Sequence, residues 1–101
     1  MDKQKTKMEK LNIKVENMTS SRGNDVPNQF IIRTMKGRYF QSYNTIIAFI
    51  PSSWSEKTQL DRNSWDYSIT TGKYRNQFLG EDKKETQRKI NNGTYELTNL
   101  N

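Results

Sequence analysis

Apolar and aromatic side chains are concentrated in two short stretches in the first half of the chain, which a polar turn separates. Residues 29–34 (QFIIRT) and 39–44 (YFQSYN) flank an MKGR turn, which is the arrangement of a β-hairpin. The next stretch, 45–50 (TIIAFI), is apolar on both faces, as in a central strand. Pro51 ends it, because proline cannot donate a hydrogen bond to a neighbouring strand. The pattern therefore predicts three consecutive strands.

The two faces of the 39–44 strand differ in character. Successive side chains of a strand point to opposite faces, so Tyr39, Gln41 and Tyr43 share one face while Phe40 and Ser42 share the other. We expect one face to pack against the core and the other to be half open. Rings on an open face with cations at its rim can stack unpaired bases. The same rings are more often part of a buried core.

From Trp65 onwards the spacing changes to that of a helix. Ser68 or Asp66 can cap its first turn, and Gly80 stands where a left-handed C-terminal residue is favoured. A second helix follows, with Asp82 and Glu85 at capping-box spacing and an Asn-Gly pair at 92–93 marking its end. Residues 94–100 (TYELTNL) then alternate as a last strand would.

These elements predict an α+β domain with the order β-β-β-(β)-α-α-β. Residues 58–60 (TQL) supply the strand in parentheses, so the sheet is expected to be antiparallel with four to five strands and two helices on one side. The domain is predicted to cover residues 24–101. Residues 1–23 form a polar, lysine-rich segment that we interpret as a flexible basic arm, in which residues 11–16 either add an edge strand or remain loose.

The composition argues against catalysis. The chain has 101 residues, no cysteine and no histidine, which removes thiolate nucleophiles, Cys/His zinc sites and the usual proton-transfer side chain. The sequence predicts no catalytic residue, cofactor or metal site. The absence of cysteine fits a reducing cytoplasm, and no apolar run is long enough to span a membrane. We therefore expect a soluble, cytoplasmic, non-enzymatic protein with no membrane partner.

The net charge of +6 favours acidic partners or nucleic acid. It is evenly spread, since residues 1–22 carry six Lys/Arg against three Asp/Glu and the remainder carries eleven against eight. The candidate partner-binding residues are the cations and rings on predicted turns, loops and helix surfaces. They are Lys36, Arg38, Tyr43, Trp54, Arg62, Lys73 and Arg75.

Two of these candidates lie on the first helix and point in different directions. At 100° per residue, Lys73 falls on the far side of the helix from Arg75, so the KYR sequence at 73–75 is not one basic patch. Thr71 and Arg75 lie between two apolar stripes. An arginine placed there requires a partner, which is either Asp66 from the preceding turn or the anion of a ligand.

A resemblance adds context to these residues. The elements SYNTIIA (42–48) and WDYSITTGKYRNQFL (65–79), within residues 24–101, resemble a family of short domains from low-GC phages, prophages and their bacterial hosts. The resemblance implies a phage accessory protein that acts by stoichiometric binding, such as an anti-CRISPR-like inhibitor of a bacterial defence effector. The implied partner is a host protein or ribonucleoprotein complex. The alternative is a nucleic-acid-binding accessory protein that uses the basic hairpin and the arm.

Overall fold

A computed structural model describes residues 12–101 of the protein. Its strands form one six-stranded sheet in the order β1-β2-β3-β4-β5-β6, and two helices lie between β5 and β6 in the chain. The elements are β1 (Lys14–Thr19), β2 (Asp25–Arg33), β3 (Gly37–Ser42), β4 (Thr45–Pro51), β5 (Gln59–Asp61), α1 (Ile69–Leu79), α2 (Lys83–Asn91) and β6 (Glu96–Thr98).

The α+β class is confirmed, and two details of the predicted sheet are corrected. The described residues form six strands rather than four to five, and the sheet is mixed because β6 pairs parallel to β5, from Gln59↔Glu96 to Asp61↔Thr98. The other neighbouring strands pair antiparallel. The parallel pairing follows from the helices between the two strands, because a helical crossover returns the chain to the end at which β5 began.

The first strand belongs to the sheet. β1 pairs with β2 from Lys14↔Arg33 to Thr19↔Asp25, with a register shift between Asn17 and Thr19. The edge strand considered for residues 11–16 is thus found over Lys14–Thr19, within the segment interpreted as an arm, while residues 1–11 lie outside the described residues. Met18 is buried in the core and anchors this strand to the domain.

The core lies between one face of the sheet and both helices. Phe40, Ala48 and Leu60 stand directly opposite one another on β3, β4 and β5 and are fully buried. Phe78 of α1 packs on this row, with its ring centroid 5.7 Å from that of Phe40, and Ile90 of α2 packs against the same cluster. Burial of such rings is the main contribution that holds the helices on this face.

Both helices begin and end as their capping residues predict. The Ser68 hydroxyl accepts a hydrogen bond from the Thr71 amide at 3.1 Å, so Ser68 rather than Asp66 is the N-cap of α1. Gly80 has a φ of 73° and closes the helix in the left-handed conformation. Asp82 caps α2 by accepting from the Glu85 amide at 2.9 Å.

A buried carboxylate ties α2 to the strand that follows it. Glu81 accepts hydrogen bonds from Lys89 Nζ at 2.7 Å, from the Tyr95 hydroxyl at 2.8 Å and from the Thr86 hydroxyl at 2.6 Å. Burial disfavours the ionised carboxylate, but these hydrogen bonds outweigh burial and hold the pKa of Glu81 below its ordinary value of 4.5.

We expect this cluster to make folding stability depend on acid pH. A depressed carboxyl pKa contributes stability that is present above pH 4.5 and is lost as the pH falls through the folded-state pKa. In urea titrations between pH 7 and pH 3, Glu81→Gln should therefore lose less stability on acidification than the wild type. Glu56→Gln, on an exposed loop outside the cluster, is the matched control, and equal slopes for Glu81→Gln and the wild type would contradict the assignment.

Candidate functional site

The face of the sheet opposite the helices carries a continuous uncharged row of side chains. Cross-strand pairing places Val15, Ile32, Tyr39, Phe49 and Gln59 directly opposite one another on β1 to β5. The neighbouring row is also uncharged and consists of Asn17, Phe30, Gln41 and Ile46. We call these two rows the open face. An uncharged surface rich in rings and branched side chains is typical of the centre of a protein–protein interface.

Two rings stiffen the middle of the open face. Tyr39 and Phe49 stack with their centroids 4.4 Å apart and an interplanar angle of 29°. Phe49 also packs against the α-carbon of Gly37, where an added Cβ would lie 2.8 Å from the Phe49 ring. These contacts bury Phe49, while Tyr39 remains half-buried at the surface.

At one end of the sheet, two loops are joined into a single exposed tip. The Ser52 amide donates to the Lys36 carbonyl at 2.8 Å, and the Ser52 hydroxyl donates to the Met35 carbonyl at 3.0 Å. The side chain of Met35 is 67% exposed and that of Trp54 is 97% exposed. We call Met35, Lys36 and residues 52–57 the Trp54 tip. It presents a large ring, a thioether and the cation of Lys36 to solvent.

The Trp54 tip and the open face are contiguous. Gly37 pairs with Pro51 where β3 and β4 reach the tip, and the stacked Tyr39 and Phe49 lie two residues further along each strand. Side chains two residues apart on a strand share a face. The open face therefore continues directly into the tip.

The structure places the other predicted contacts elsewhere. Arg38 lies on the helix face of β3, with its guanidinium carbon 5.6 Å from the centre of the Phe78 ring. Tyr43 is half exposed in the turn between β3 and β4, and exposed Arg62 follows β5, so both lie at the end opposite the tip. The six residues of β3 separate the two ends by roughly 20 Å. Of the seven candidates, Lys36 and Trp54 share the tip, while Lys73 and Arg75 share α1.

The two candidates on α1 have opposite environments. Lys73 is exposed, with its ammonium 5.5 Å from the centre of the Tyr74 ring. Arg75 is 1% exposed, and its guanidinium donates to the Trp65 carbonyl at 2.7 Å, to Asp66 at 3.2 Å and to Asn76 at 2.9 Å. Of the two partners considered for Arg75, the structure shows the internal one, Asp66. Arg75 is therefore buried and bound to internal acceptors.

Sequence reasoning missed part of the tip and of the open face. The sequence pattern places Met35 only in a turn and Val15 only in the segment interpreted as an arm. The alternation around residues 29–34 and 39–44 does show the face of Ile32 and Tyr39, so this part of the surface could have been found from the pattern. Met35 and Trp54 belong to the same tip because hydrogen bonds join two loops, and such a long-range link has no local signal.

Residues 12–101 carry no group of three or more acidic, histidine or cysteine side chains that could hold a metal ion. Within the same range, no helix has the length and apolar character needed to cross a bilayer.

These features define a small α+β domain with a six-stranded mixed sheet, helices on one face and an uncharged opposite face that ends in an exposed tryptophan. The chain belongs to the DUF8033 family, a family of unknown function, which matches residues 13–93. The matched range includes β1 and extends past the end of α2. No curated protein and no solved structure shows significant similarity to the chain.

Proposed function

We propose that the protein acts without catalysis, by stoichiometric binding to a protein component of a bacterial defence effector, in the cytoplasm of the bacterial host. The observation that carries this proposal is the Trp54 tip, which continues into the uncharged open face. The choice of a defence effector as target comes from the resemblance of residues 42–48 and 65–79 to short phage and prophage domains.

Trp54 has the properties of a binding anchor. Its side chain is 97% exposed, so it contributes little to the core and remains free for a partner. Tryptophan is enriched among the few residues that dominate binding energy at protein interfaces, especially when the ring enters a dry pocket surrounded by apolar contacts. Met35, which is 67% exposed on the same tip, and the neighbouring open face offer apolar surface for such contacts with a partner.

The charge distribution favours a protein over nucleic acid as the partner. A surface that binds nucleic acid places cations among its rings, because the phosphate backbone supplies most of the affinity. The two rows of the open face contain no Lys or Arg, and Arg38 lies on the opposite face with Phe78. The rings within the open face therefore have no cation beside them in either row, although Trp54 shares its tip with the exposed Lys36 and Lys57.

A phage-plating assay tests the proposed activity. The protein is expressed in bacterial strains that each carry one defined, active CRISPR nuclease and its targeting guide, and the plating efficiency of the targeted phage is measured. We expect at least a tenfold rise with one of these effectors, and we expect Trp54→Ala to abolish most of it. Ile69→Ala is the matched control, since it removes a 93% exposed apolar side chain from the start of α1, outside the tip and open face.

The purified protein should then form a complex of fixed stoichiometry with the responsive effector, and the complex should be lost in Trp54→Ala. A plating rise that is insensitive to Trp54→Ala would remove the tip from the mechanism. If plating efficiency rises with none of the effectors, the assigned target is refuted.

A binding titration separates the nucleic-acid alternative. Submillimolar, salt-sensitive affinity for single-stranded RNA or DNA, lost on Lys36→Glu, would favour that alternative, because counterion release makes such binding steeply salt-dependent.

A further inference from the structure

The outer edge of β1 has the features of a strand that pairs with another strand. β1 stands at the end of the sheet order and pairs only with β2 among the described residues. Ile13 and Val15 are 56% and 60% exposed. An edge strand with exposed apolar side chains and unpaired backbone groups is a template for strand addition.

The sequence of β1 is complementary to itself in the antiparallel direction. If two copies pair around a two-fold axis at Val15, Val15 meets Val15 of the second copy, and each Lys14 meets the Glu16 of the other copy. Opposite charges at directly facing positions stabilise a pair of strands, while like charges destabilise it. The arrangement therefore contains two intermolecular ion pairs around an apolar centre.

We propose that the protein forms a symmetric homodimer by antiparallel pairing of β1 with β1 of a second copy, centred on Val15. The pairing joins two six-stranded sheets into one sheet of twelve strands. Because a two-fold axis perpendicular to the sheet keeps each face on its own side, the uncharged open faces of both copies become continuous. The dimer is independent of the identity of any partner bound at the Trp54 tip.

Charge selects this register among its neighbours. A two-fold axis perpendicular to the sheet pairs residues that point to the same face. The axis must therefore pass through a residue, and the neighbouring alternatives to Val15 are Lys14 and Glu16. Centring on Lys14 places two lysines opposite each other, and centring on Glu16 does the same with two glutamates. Both arrangements juxtapose like charges, so the axis at Val15 is the favoured one.

The intramolecular neighbours reinforce the argument. Lys14 stands directly opposite Arg33 within the same copy, which juxtaposes two cations. Arg33 is already paired with Glu16 of its own copy. In the dimer, Glu16 of the second copy gives Lys14 the anion that it lacks on β2, and the four cations and two carboxylates of the two edges form one network.

Sedimentation equilibrium over a range of concentrations tests the dimer. We expect the wild type to associate reversibly into dimers. Lys14→Glu should raise the dimer dissociation constant by about tenfold or more, since each of two facing pairs changes from attraction to repulsion. Glu16→Lys should weaken the dimer similarly.

An equimolar mixture of the two variants should recover association as a heterodimer, because each variant then faces opposite charges. Lys84→Glu, on the exposed surface of α2, is the control with the same charge change.

Disulfide trapping gives a second, independent readout. The chain has no cysteine of its own, and directly facing residues of an antiparallel pair lie within the Cα separation that a disulfide spans. Val15→Cys should form a covalent dimer on mild oxidation, whereas Thr19→Cys, displaced from the axis on the same strand, should not.

Three outcomes would overturn the proposal. The first is a wild type that remains monomeric to about 1 mM. The second is a mixture of the charge variants that associates no better than either variant alone. The third is equal disulfide trapping of Val15→Cys and Thr19→Cys. None of these results bears on phage plating or on Trp54, so failure of the dimer and failure of the proposed function are distinguishable.

Discussion

Replacing Gly37 with alanine is expected to lower the free energy of unfolding by about 3–5 kcal/mol, which is at the severe end of single substitutions. Gly37 has a φ of 148°, a conformation that side chains rarely adopt. A Cβ there would lie 2.2 Å from the Ile50 carbonyl oxygen, 2.8 Å from the Pro51 Cα and 2.8 Å from the Phe49 ring. Two of these three atoms belong to the backbone of β4, so relief requires the strands to separate.

Urea unfolding followed by far-UV circular dichroism measures this loss. Gly23→Ala provides the matched control, because Gly23 also has a positive φ of 82° but an added Cβ would meet no atom within 4 Å. It should lose only the cost of the left-handed conformation, about 1–2 kcal/mol. If both variants lose the same free energy of unfolding, the short distances from Gly37 to β4 add nothing to the cost of the substitution, which would contradict the prediction.

The close approach at Gly37 also matters for the candidate site. Gly37 pairs with Pro51 at the point where the sheet meets the Trp54 tip, and its bare α-carbon accommodates the Phe49 ring. A side chain there would displace the Tyr39–Phe49 stack and the loops beyond it. Gly37 therefore couples the stability of the sheet to the geometry of the tip.

The local elements of the fold were largely predictable from the sequence. The apolar runs and turn residues within 29–51 and the capping residues Ser68, Gly80 and Asp82 act over a few residues, and the structure contains the strands and helices that they predict. Such signals work because capping and side-chain alternation are set by the neighbouring backbone.

Long-range features were not predictable in the same way. The parallel pairing of β6 with β5 joins residues more than 35 positions apart in the chain, and nothing in residues 94–100 specifies the direction of the partner strand. Apolar Ile69 at the start of α1 is 93% exposed, while Thr71 and Arg75 of the same helix are buried. The buried face of α1 is partly polar because Thr71 bonds Ser42 and Arg75 bonds the preceding turn.

The candidate site was predictable to a similar extent. Trp54 could be found because a lone ring in a polar loop has no local apolar partner, and the structure leaves it exposed. Trp54, Lys36 and Met35 belong to one tip because Ser52 donates hydrogen bonds to the carbonyls of Lys36 and Met35. Met35 lies 17 positions before Ser52 in the chain, so this link has no local signal. The candidates Tyr43 and Arg62 are also a ring and a cation, but they lie at the opposite end of the sheet, because the type of a residue does not determine its position in the fold.

Removing the buried guanidinium of Arg75 should also destabilise the fold strongly. Arg75→Ala is expected to cost about 3–5 kcal/mol, because it leaves the Trp65 carbonyl without its donor and opens a cavity the size of the side chain. The guanidinium carbon lies 5.2 Å from the centre of the Trp65 ring, so that packing contact is lost as well. Urea unfolding by circular dichroism measures the change. Lys73→Ala, which removes an exposed cation two residues earlier on α1, should change stability by no more than about 0.5 kcal/mol.

The Asp66 partner should matter less than the arginine itself. The Asp66 side chain is about one-third exposed and also pairs with Lys83 at 2.7 Å, so solvent screens part of its interaction. In Asp66→Asn, Arg75 keeps the Trp65 carbonyl and Asn76 as acceptors, and we expect the free energy of unfolding to fall by about 1 kcal/mol.

The carboxyl group of Asp66 has a lowered pKa. Burial disfavours its ionised form, but hydrogen bonds from Lys83 and Arg75 outweigh burial and lower the pKa of Asp66 below 3.8. The contribution of Asp66 to stability is therefore complete above pH 3.8 and disappears as the pH falls through the lowered folded-state pKa.

One result would contradict a structural role for Arg75. If Arg75→Ala were no more destabilising than Lys73→Ala, the internal hydrogen bonds of Arg75 would not stabilise the fold, and the anion of a ligand would again be the better explanation for an arginine at this position.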